Sequence, residues 1–457
     1  MSTSSTPPSS SLTDAADNPA AVSRSRIAVA SMIGTAIEFY DFYIYGTAAA
    51  LVFGTLFFPD FSPTAGTLAA FATFGAGFVA RPVGAVLFGH WGDRLGRKNM
   101  LILSLLVMGV STVAIGLIPS YNSIGVIAPT LLVTCRFLQG IGLGGEWGGA
   151  VLLATEYAPK GKRGLYSSFP QLGPAVGFII ANGLFLIMGA TLSTSSFNSW
   201  GWRIPFLLSS ILIAVGLFIR VGIAETPVFK KAAAQAKDQP KIPFVELLRR
   251  QPMVLILATV SFILAHTLFY TVTTFALAYG TKTLGLSREP LLLCTMVAAL
   301  VLGIATPILA VYSDRVGRRR VCLAATVAAA LWAYPLFALI NTRNYVLVAV
   351  GMSVGLAVFA AIYAPMGAYL PELFATRYRY SGAAFAYSAS GIVGGGISPL
   401  LATAWVAQTG STWPVSAYVA VIAVLSLVCL LFLRETKDRD LDYDDAPIAA
   451  SVGAGTR

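Results

Sequence analysis

The sequence predicts an all-α membrane protein with twelve transmembrane helices in two similar six-helix halves. Three observations predict it. Only 11% of the 457 residues are charged and 56% are hydrophobic, with a mean hydropathy of +0.75, whereas a soluble chain carries about 25% charged residues. Apolar runs of roughly twenty residues or more, the length that crosses a bilayer as helix, recur along the chain. A short charged turn, Gly89-His90-Trp91-Gly92-Asp93-Arg94-Leu95-Gly96-Arg97-Lys98, also returns 221 residues later as Ala310-Val311-Tyr312-Ser313-Asp314-Arg315-Val316-Gly317-Arg318-Arg319. A loop with three or four cations cannot sit in hydrocarbon, so it marks one side of the membrane twice.

Taken in order, residues 1–26 are rich in Ser, Thr and Pro and have no apolar core of a signal peptide. They are expected to be a disordered cytoplasmic tail. Residues 27–222 form the first half, with spans expected at 27–57, 67–91, 99–118, 126–156, 165–190 and 204–222. Backbone groups in lipid must bond within their own segment, so each span is helix. Residues 223–250 form a basic linker, with Lys230, Lys231, Lys237, Lys241, Arg249 and Arg250, expected to lie as a helix at the interface. The second half, 251–434, has spans at 251–280, 290–312, 321–341, 345–373, 381–407 and 415–434. A second cytoplasmic tail, 435–457, follows.

Orientation comes from Lys and Arg. With both termini cytoplasmic, 25 of the 31 cations fall on the cytoplasmic side. Arg203, Lys282, Arg288 and Arg343 fall on the other, and Arg81 and Arg136 lie within spans, an asymmetry the positive-inside rule decides. The halves echo each other elsewhere. Glu156 and Arg163 follow the fourth span as Glu372 and Arg379 follow the tenth, and Glu225-Thr226 after the sixth span returns as Glu435-Thr436 after the twelfth.

Several function classes are excluded. The net charge of +11 lies in short loops and forms no basic face, so nucleic acid is not a partner. All four cysteines sit in apolar segments without a CxxC pair, so they read as small buried hydrophobes and no metal site is expected. Gly140-Ile141-Gly142-Leu143-Gly144-Gly145 follows no strand and reads as close helix packing, not a dinucleotide loop. No G-x-x-x-x-G-K-[ST] occurs, so no ATP motor and no cofactor are expected in the chain, and the driving force is expected from a gradient or a partner. With only His90 and His266 available, no nucleophile–base pair can be assembled and an enzyme is not expected.

The ionisable residues within spans carry the chemistry. They are Glu38 and Asp41 in span one, Arg81 in span two, Arg136 and Glu146 in span four, and His266 in span seven. Each costs about 2.5–3.5 kcal/mol or more at the bilayer centre, so they are expected to face an internal cavity and to pair. Glu38 and Asp41 are spaced i, i+3 and share a helical face with Gly34 and Tyr45. Arg136 shares one with Gln139 and Gly140. The first half thus holds nearly all the buried charge, while the second supplies an apolar and aromatic wall (Phe269, Tyr270, Tyr279, Tyr363, Tyr387). Two readings stay open for the charged set: proton and solute handling, or structural ion pairs. His266 reads as an interhelical hydrogen-bonding residue. Gly173-Pro174 with Gly177, and Gly394-Gly395-Gly396 with Pro399, are expected to make bendable helices.

The paired charged loops, twelve spans and basic linker resemble the major facilitator superfamily, from Ile27 to Thr436. Gly34-x-x-x-Glu38-Phe39-Tyr40-Asp41-Phe42, Arg81-Pro82-x-Gly84, Gly144-Gly145-Glu146-Trp147-Gly148-Gly149 and Gly201-Trp202-Arg203-Ile204-Pro205-Phe206 resemble its metabolite:proton symporter family. That family includes shikimate, α-ketoglutarate, citrate and proline/betaine transporters. The stretch from Gly144 to Gly183 is most similar to inner-membrane metabolite transporters of undefined substrate.

The resemblance implies two six-helix bundles rocking about a central site, with proton and solute moving together. It implies proton coupling by Glu38, Asp41 and Arg136. Arg81, Arg136, Tyr45, Gln139 and Glu146 are then the candidate solute ligands, and the arginines favour a carboxylate. It implies a cytoplasmic gate of Gly89, Asp93, Arg94, Gly96, Arg97, Glu156, Arg163, Asp314, Arg315, Glu372 and Arg379. The second charged loop has Ala310 where the first has Gly89, so Asp93→Asn is expected to damage transport more than Asp314→Asn. The 23 residues after Arg434 carry no heptads, unlike the coiled-coil tail of osmosensing relatives, so osmosensing is not expected. The leading expectation is a monomeric proton symporter of the bacterial inner membrane importing a small organic acid or zwitterion. The alternatives are a proton-driven exporter and a non-transporting sensor.

Overall fold

The computed structural model describes residues 24–439 except 96, 145, 157, 160 and 223–242. Every regular element among them is helical. Helix α1 (Arg24–Ala48) continues through a π turn, Ala49–Phe53, into Gly54–Phe57. The first half is completed by α2 (Pro63–Leu95), α3 (Arg97–Leu117), α4 (Ile127–Glu156), α5 (Arg163–Thr191) and α6 (Ile204–Gly222). The second half holds α7 (Pro252–Thr283), α8 (Arg288–Val316), α9 (Arg318–Asn341), α10 (Tyr345–Leu373), α11 (Arg379–Thr409) and α12 (Trp413–Phe432). Among the described residues ten stretches are long and apolar enough to cross a membrane. Helix α1, which carries Glu38 and Asp41, and α3, apolar over Ile102–Leu117, complete the expected set.

Within the first half α1 lies on α5 and α2 on α4; within the second, α8 lies on α10 and α9 on α12. The halves meet along α5–α8 and α2–α11. Close approach in the first half depends on glycine. A Cβ at Gly140 would overlap the Gly77 carbonyl, and one at Gly144 the Arg81 carbonyl. The glycine-rich run on α4 is therefore a packing surface that lets two backbones touch. Gly144→Val is expected to lose most of the folded, monodisperse protein in detergent, because overpacking costs about 1–3 kcal/mol or more. A normal yield and melting temperature would contradict this crossing.

The bendable helices behave differently from expectation in one half. The Gly394–Gly396 run lies in a π turn, Ile392–Ile397, whereas α5 runs unbroken through Pro170 and Pro174. Gly173 and Gly177 instead admit α1: a Cβ at Gly177 would stand 2.6 Å from the Ala36 carbonyl oxygen. Helix α7 carries two further π turns, Thr271–Phe275 and Tyr279–Thr283, at the depth where α1 has its own. Of the linker, the described part is a helix, Pro243–Arg250, that buries Leu247 and sets Phe244 against Phe385 of α11 (4.8 Å between ring centroids). The linker lysines, Glu225-Thr226 and both chain ends beyond 24–439 lie outside the described residues.

Candidate functional site

The five charged residues singled out in the first-half spans, Glu38, Asp41, Arg81, Arg136 and Glu146, are all buried, each at most 3% exposed. That is the arrangement their cost in lipid demands. They separate into distinct environments. Asp41 receives a hydrogen bond from Ser209 Oγ of α6 on Oδ1 (2.6 Å), while its Oδ2 has no partner. Gln139 of α4 donates to the Asp41 carbonyl (3.0 Å) and to Thr112 Oγ1 of α3 (2.8 Å), and accepts from Arg136 Nη1. Four helices thus converge on one polar cluster, Arg136, Gln139, Thr112, Asp41 and Ser209.

Arg136 is held by aromatic faces. Its Cζ lies 3.9 Å from the Phe42 ring centroid, 4.2 Å from Tyr45 and 4.8 Å from Phe74. Tyr45 turns its hydroxyl to Thr73 Oγ1 (2.7 Å). Gly77 makes the space: a Cβ there would stand 2.6 Å from Arg136 Nε. Arg81 lies over Tyr387 of the other half (5.0 Å) and over Phe42 and Phe78 (5.7 Å each). Phe42 therefore neighbours both guanidiniums. Arg81 Nε and Nη1 and Arg136 Nε and Nη2 have no hydrogen-bond acceptor, and neither arginine has a carboxylate within ion-pair distance among the described residues. Glu38 and Glu146 are buried on α1 and α4 but, like both arginines, do not line the central cavity.

That cavity lies between the halves, lined by Phe39 and Tyr43 of α1, His266, Phe269 and Tyr270 of α7, Tyr363 of α10 and Tyr387 of α11, among others. It holds about 20 Å³, space for about one water. Phe269, Tyr270, Tyr363 and Tyr387 occupy the aromatic wall expected of the second half. Tyr279 does not; it bonds to Asn341 (2.8 Å). His266 has both the interhelical bond expected of it, to Ser390 (3.3 Å), and a place in the cavity wall. Tyr43 stacks on Phe269 (5.3 Å), and Trp147 of α4 stacks on Tyr387 at 3.8 Å and 8°. Phe39 and Tyr43 escaped sequence reasoning because they read as ordinary apolar positions, although their i, i+4 spacing puts them on one face. Ser209 escaped because one hydroxyl in an apolar helix is normally a spectator.

Polar contacts tie elements together on either side of the cavity. On one side Lys282 of α7 donates to Thr67 Oγ1 of α2 (2.9 Å). On the other, Asp314 accepts from two backbone amides opening α5, Gly164 (2.9 Å, Oδ1) and Leu165 (3.0 Å, Oδ2), and pairs with Arg318 (2.7 Å). A carboxylate at a helix N-terminus meets both unsatisfied N–H groups and the positive end of the helix dipole. Glu372 pairs with Arg163 of the first half (3.7 Å) and with Arg318 (3.6 Å). The Glu/Arg echo of the sequence thus meets across the halves. Arg315 is exposed, and its carbonyl accepts from Lys437 (3.0 Å); the ion pairs are made by Arg318, one turn on. Arg379 is buried at the start of α11, and Glu156 is exposed at the end of α4. Gly96 and the side-chain surroundings of Gly89, Asp93, Arg94 and Arg97 lie outside the described residues.

Sequence division put residues from Glu435 onward in a tail, yet Glu435 accepts from the Arg318 and Arg319 amides (2.8 and 3.1 Å) and Thr436 donates to Glu372 (2.6 Å). Arg163 donates to the Arg439 carbonyl (2.6 Å). The repeated Glu-Thr pair was the signal for this clasp.

Comparison with known proteins agrees with this architecture. Residues 27–240 match the family model described as sugar (and other) transporter, and residues 281–451 match that of the major facilitator superfamily. The chain is 47% identical to the inner membrane metabolite transport protein YhjE of Escherichia coli (strain K12), over 92% of this chain and 96% of that one. It is 40% identical to the shikimate transporter of the same organism, covering 90% and 95%, and 34% identical to its proline/betaine transporter, covering 90% and 84%. Among solved structures, a D-xylose-proton symporter superposes with a TM-score of 0.71 at 21% identity, over 90% of this chain and 98% of that one, which is a likeness of fold.

Proposed function

The chain belongs to the major facilitator superfamily, where it is a multi-pass metabolite transporter of the inner membrane and not an enzyme; from that premise we propose that it imports a small organic acid or zwitterion together with protons. The observation that carries the reading is the pair of buried arginines that each keep N–H groups without a protein acceptor, Nε and Nη1 of Arg81 and Nε and Nη2 of Arg136. A buried guanidinium without a counter-charge is costly, and a carboxylate solute supplies both the charge and a bidentate acceptor. Arg81, beside Tyr387 in the wall of the cavity, is the nearer ligand; Arg136, behind Phe42, holds the polar chain that reaches Asp41.

The proton step follows from the same chain. Asp41 keeps one oxygen on Ser209 and leaves Oδ2 open, so a proton can be accepted there without breaking a bond. Protonation removes a buried charge and so lowers the cost of closing the halves around the solute. Opening to the cytoplasm rehydrates the carboxyl, which releases the proton as the gate of Asp314, Arg318, Glu372 and Arg163 parts. This is alternating access with the driving force supplied by the proton gradient and by no bound cofactor. The protein works as a monomer with both termini in the cytoplasm, since each half contributes walls to one shared cavity.

The test is uptake by proteoliposomes under an inward proton gradient, with a panel of shikimate, proline, glycine betaine and 2-oxoglutarate. At least one is expected to accumulate in the wild type, and Arg81→Gln to abolish it with loss of the thermal stabilisation that the same solute gives the purified protein. Accumulation under an outward-directed driving gradient only would replace import by export. Unchanged binding by Arg81→Gln would remove the arginine from the site.

A further inference from the structure

We infer that His266 and Tyr363 form the second pole of the solute site and recognise a hydroxyl group at the end of the solute remote from its carboxylate. The inference rests on the reading that the solute is a carboxylate held on the Arg81 side. Both residues line the central cavity, from α7 and α10. Both hold a buried polar atom without a partner, His266 Nε2 and the Tyr363 hydroxyl, in a wall otherwise made of rings and methyl groups. A buried polar atom left unsatisfied costs about 1–3 kcal/mol, so a pair of them on residues of one cavity wall is a demand for a ligand.

The hydrogen bonds around His266 assign its tautomer. Nδ1 lies 3.4 Å from the Phe262 carbonyl oxygen, which only accepts, and 3.3 Å from Ser390 Oγ. Ser390 gives its own proton to the Tyr387 carbonyl (2.9 Å), so toward the imidazole it too is an acceptor. The ring proton therefore sits on Nδ1, and Nε2 keeps a bare lone pair on a residue of the cavity wall. Tyr363 offers the opposite, an O–H without a well-placed acceptor, beside the Tyr387 hydroxyl on the same wall. One acceptor and one donor together match a hydroxyl, which donates to Nε2 and accepts from the phenol. A trimethylammonium end has no hydrogen to give to Nε2, and a second carboxylate would face that lone pair. Tyr387, ringed by Arg81 at 5.0 Å and His266 at 4.8 Å, separates the two poles. The solute class is a compact hydroxy acid with an apolar middle, its ends read by opposite halves of the protein. Bridging them couples solute binding to closure.

The test compares matched acids on the purified full chain: trans-4-hydroxycyclohexanecarboxylate against cyclohexanecarboxylate, and 4-hydroxybenzoate against benzoate. The wild type is expected to bind the hydroxylated member of at least one pair about 10–100-fold more tightly, since a site built to bond a hydroxyl rejects the analogue lacking it. Tyr363→Phe and His266→Phe are each expected to cut that preference to about threefold or less without weakening the plain acid. His266→Gln, which restores an acceptor, is expected to recover part of it. Arg81→Gln should weaken both members equally. If the wild type binds both members of each pair equally and Arg81→Gln still abolishes binding, the hydroxyl pole is wrong and the carboxylate reading stands. If neither acid of either pair binds the wild type, both fall.

Discussion

Asp41→Asn is expected to reduce gradient-driven accumulation to the level of protein-free vesicles while leaving solute exchange across equal pH intact. Asparagine keeps the shape and an acceptor for Ser209 Oγ, which lies 2.6 Å from Oδ1, so the fold and the Arg136–Gln139 chain should persist. What it removes is the ability of a buried carboxyl to alternate between charged and neutral. A transporter locked in the neutral form can still rock and exchange solute, but it no longer links that motion to proton movement. The measurement is uptake against counterflow in the same proteoliposomes. Accumulation at the wild-type level would exclude Asp41 as the proton carrier and pass the role to Glu38, whose Gln variant is the parallel experiment.

Asp314→Asn is expected to open the cytoplasmic gate. The carboxylate holds two amides of α5 and the Arg318 guanidinium at once, with Arg318 1% and Asp314 6% exposed. Breaking one side of such a buried pair costs about 3 kcal/mol or more, on the order of a hundredfold in the ratio of closed to open protein. A cysteine at Ser167, buried on α5 against Gly367 of α10, reports the change in a background without the four native cysteines. Its labelling from the cytoplasmic side should rise by about that factor. Unchanged labelling would remove Asp314 from the gate. Asp314 acts through its contacts with α5 and Arg318, so the same labelling measured for Asp93→Asn tests the larger effect that the sequence assigns to Asp93.

Much of the fold is legible in the chain because lipid imposes a severe rule. Backbone polar groups must be satisfied inside each span, so length, hydropathy and loop cations are enough to draw the helices. The duplication is equally plain, since Asp93 and Asp314 lie in near-identical turns. The gate was partly legible for the same reason: Arg163 and Glu372 belong to echoed pairs, and the echo marks residues that meet across the halves. Arg318 was harder to single out from Arg315, because a charged turn fixes where cations lie but not which of them points inward. Phe39, Tyr43 and Ser209 carry no sequence signal that separates a cavity wall from ordinary helix packing.

By itself, then, the sequence determined the class of molecule, its two-fold repetition and the short set of charges that must be buried. Each follows from a one-dimensional cost of placing a residue in hydrocarbon. The tertiary structure decided which of those residues touch. It put Gln139 between Arg136 and Asp41, brought both arginines to the ring of Phe42, set His266 in the cavity wall, and brought Glu435 and Thr436 against Arg318 and Glu372. Those outcomes depend on how helices cross, on glycines at Gly140 and Gly144 that let α4 touch α2, and on the few ångströms that separate a ring in the wall from a ring behind it. Burial is a property of a residue and its solvent, but partnership is a property of two residues far apart in the chain, and only packing sets it.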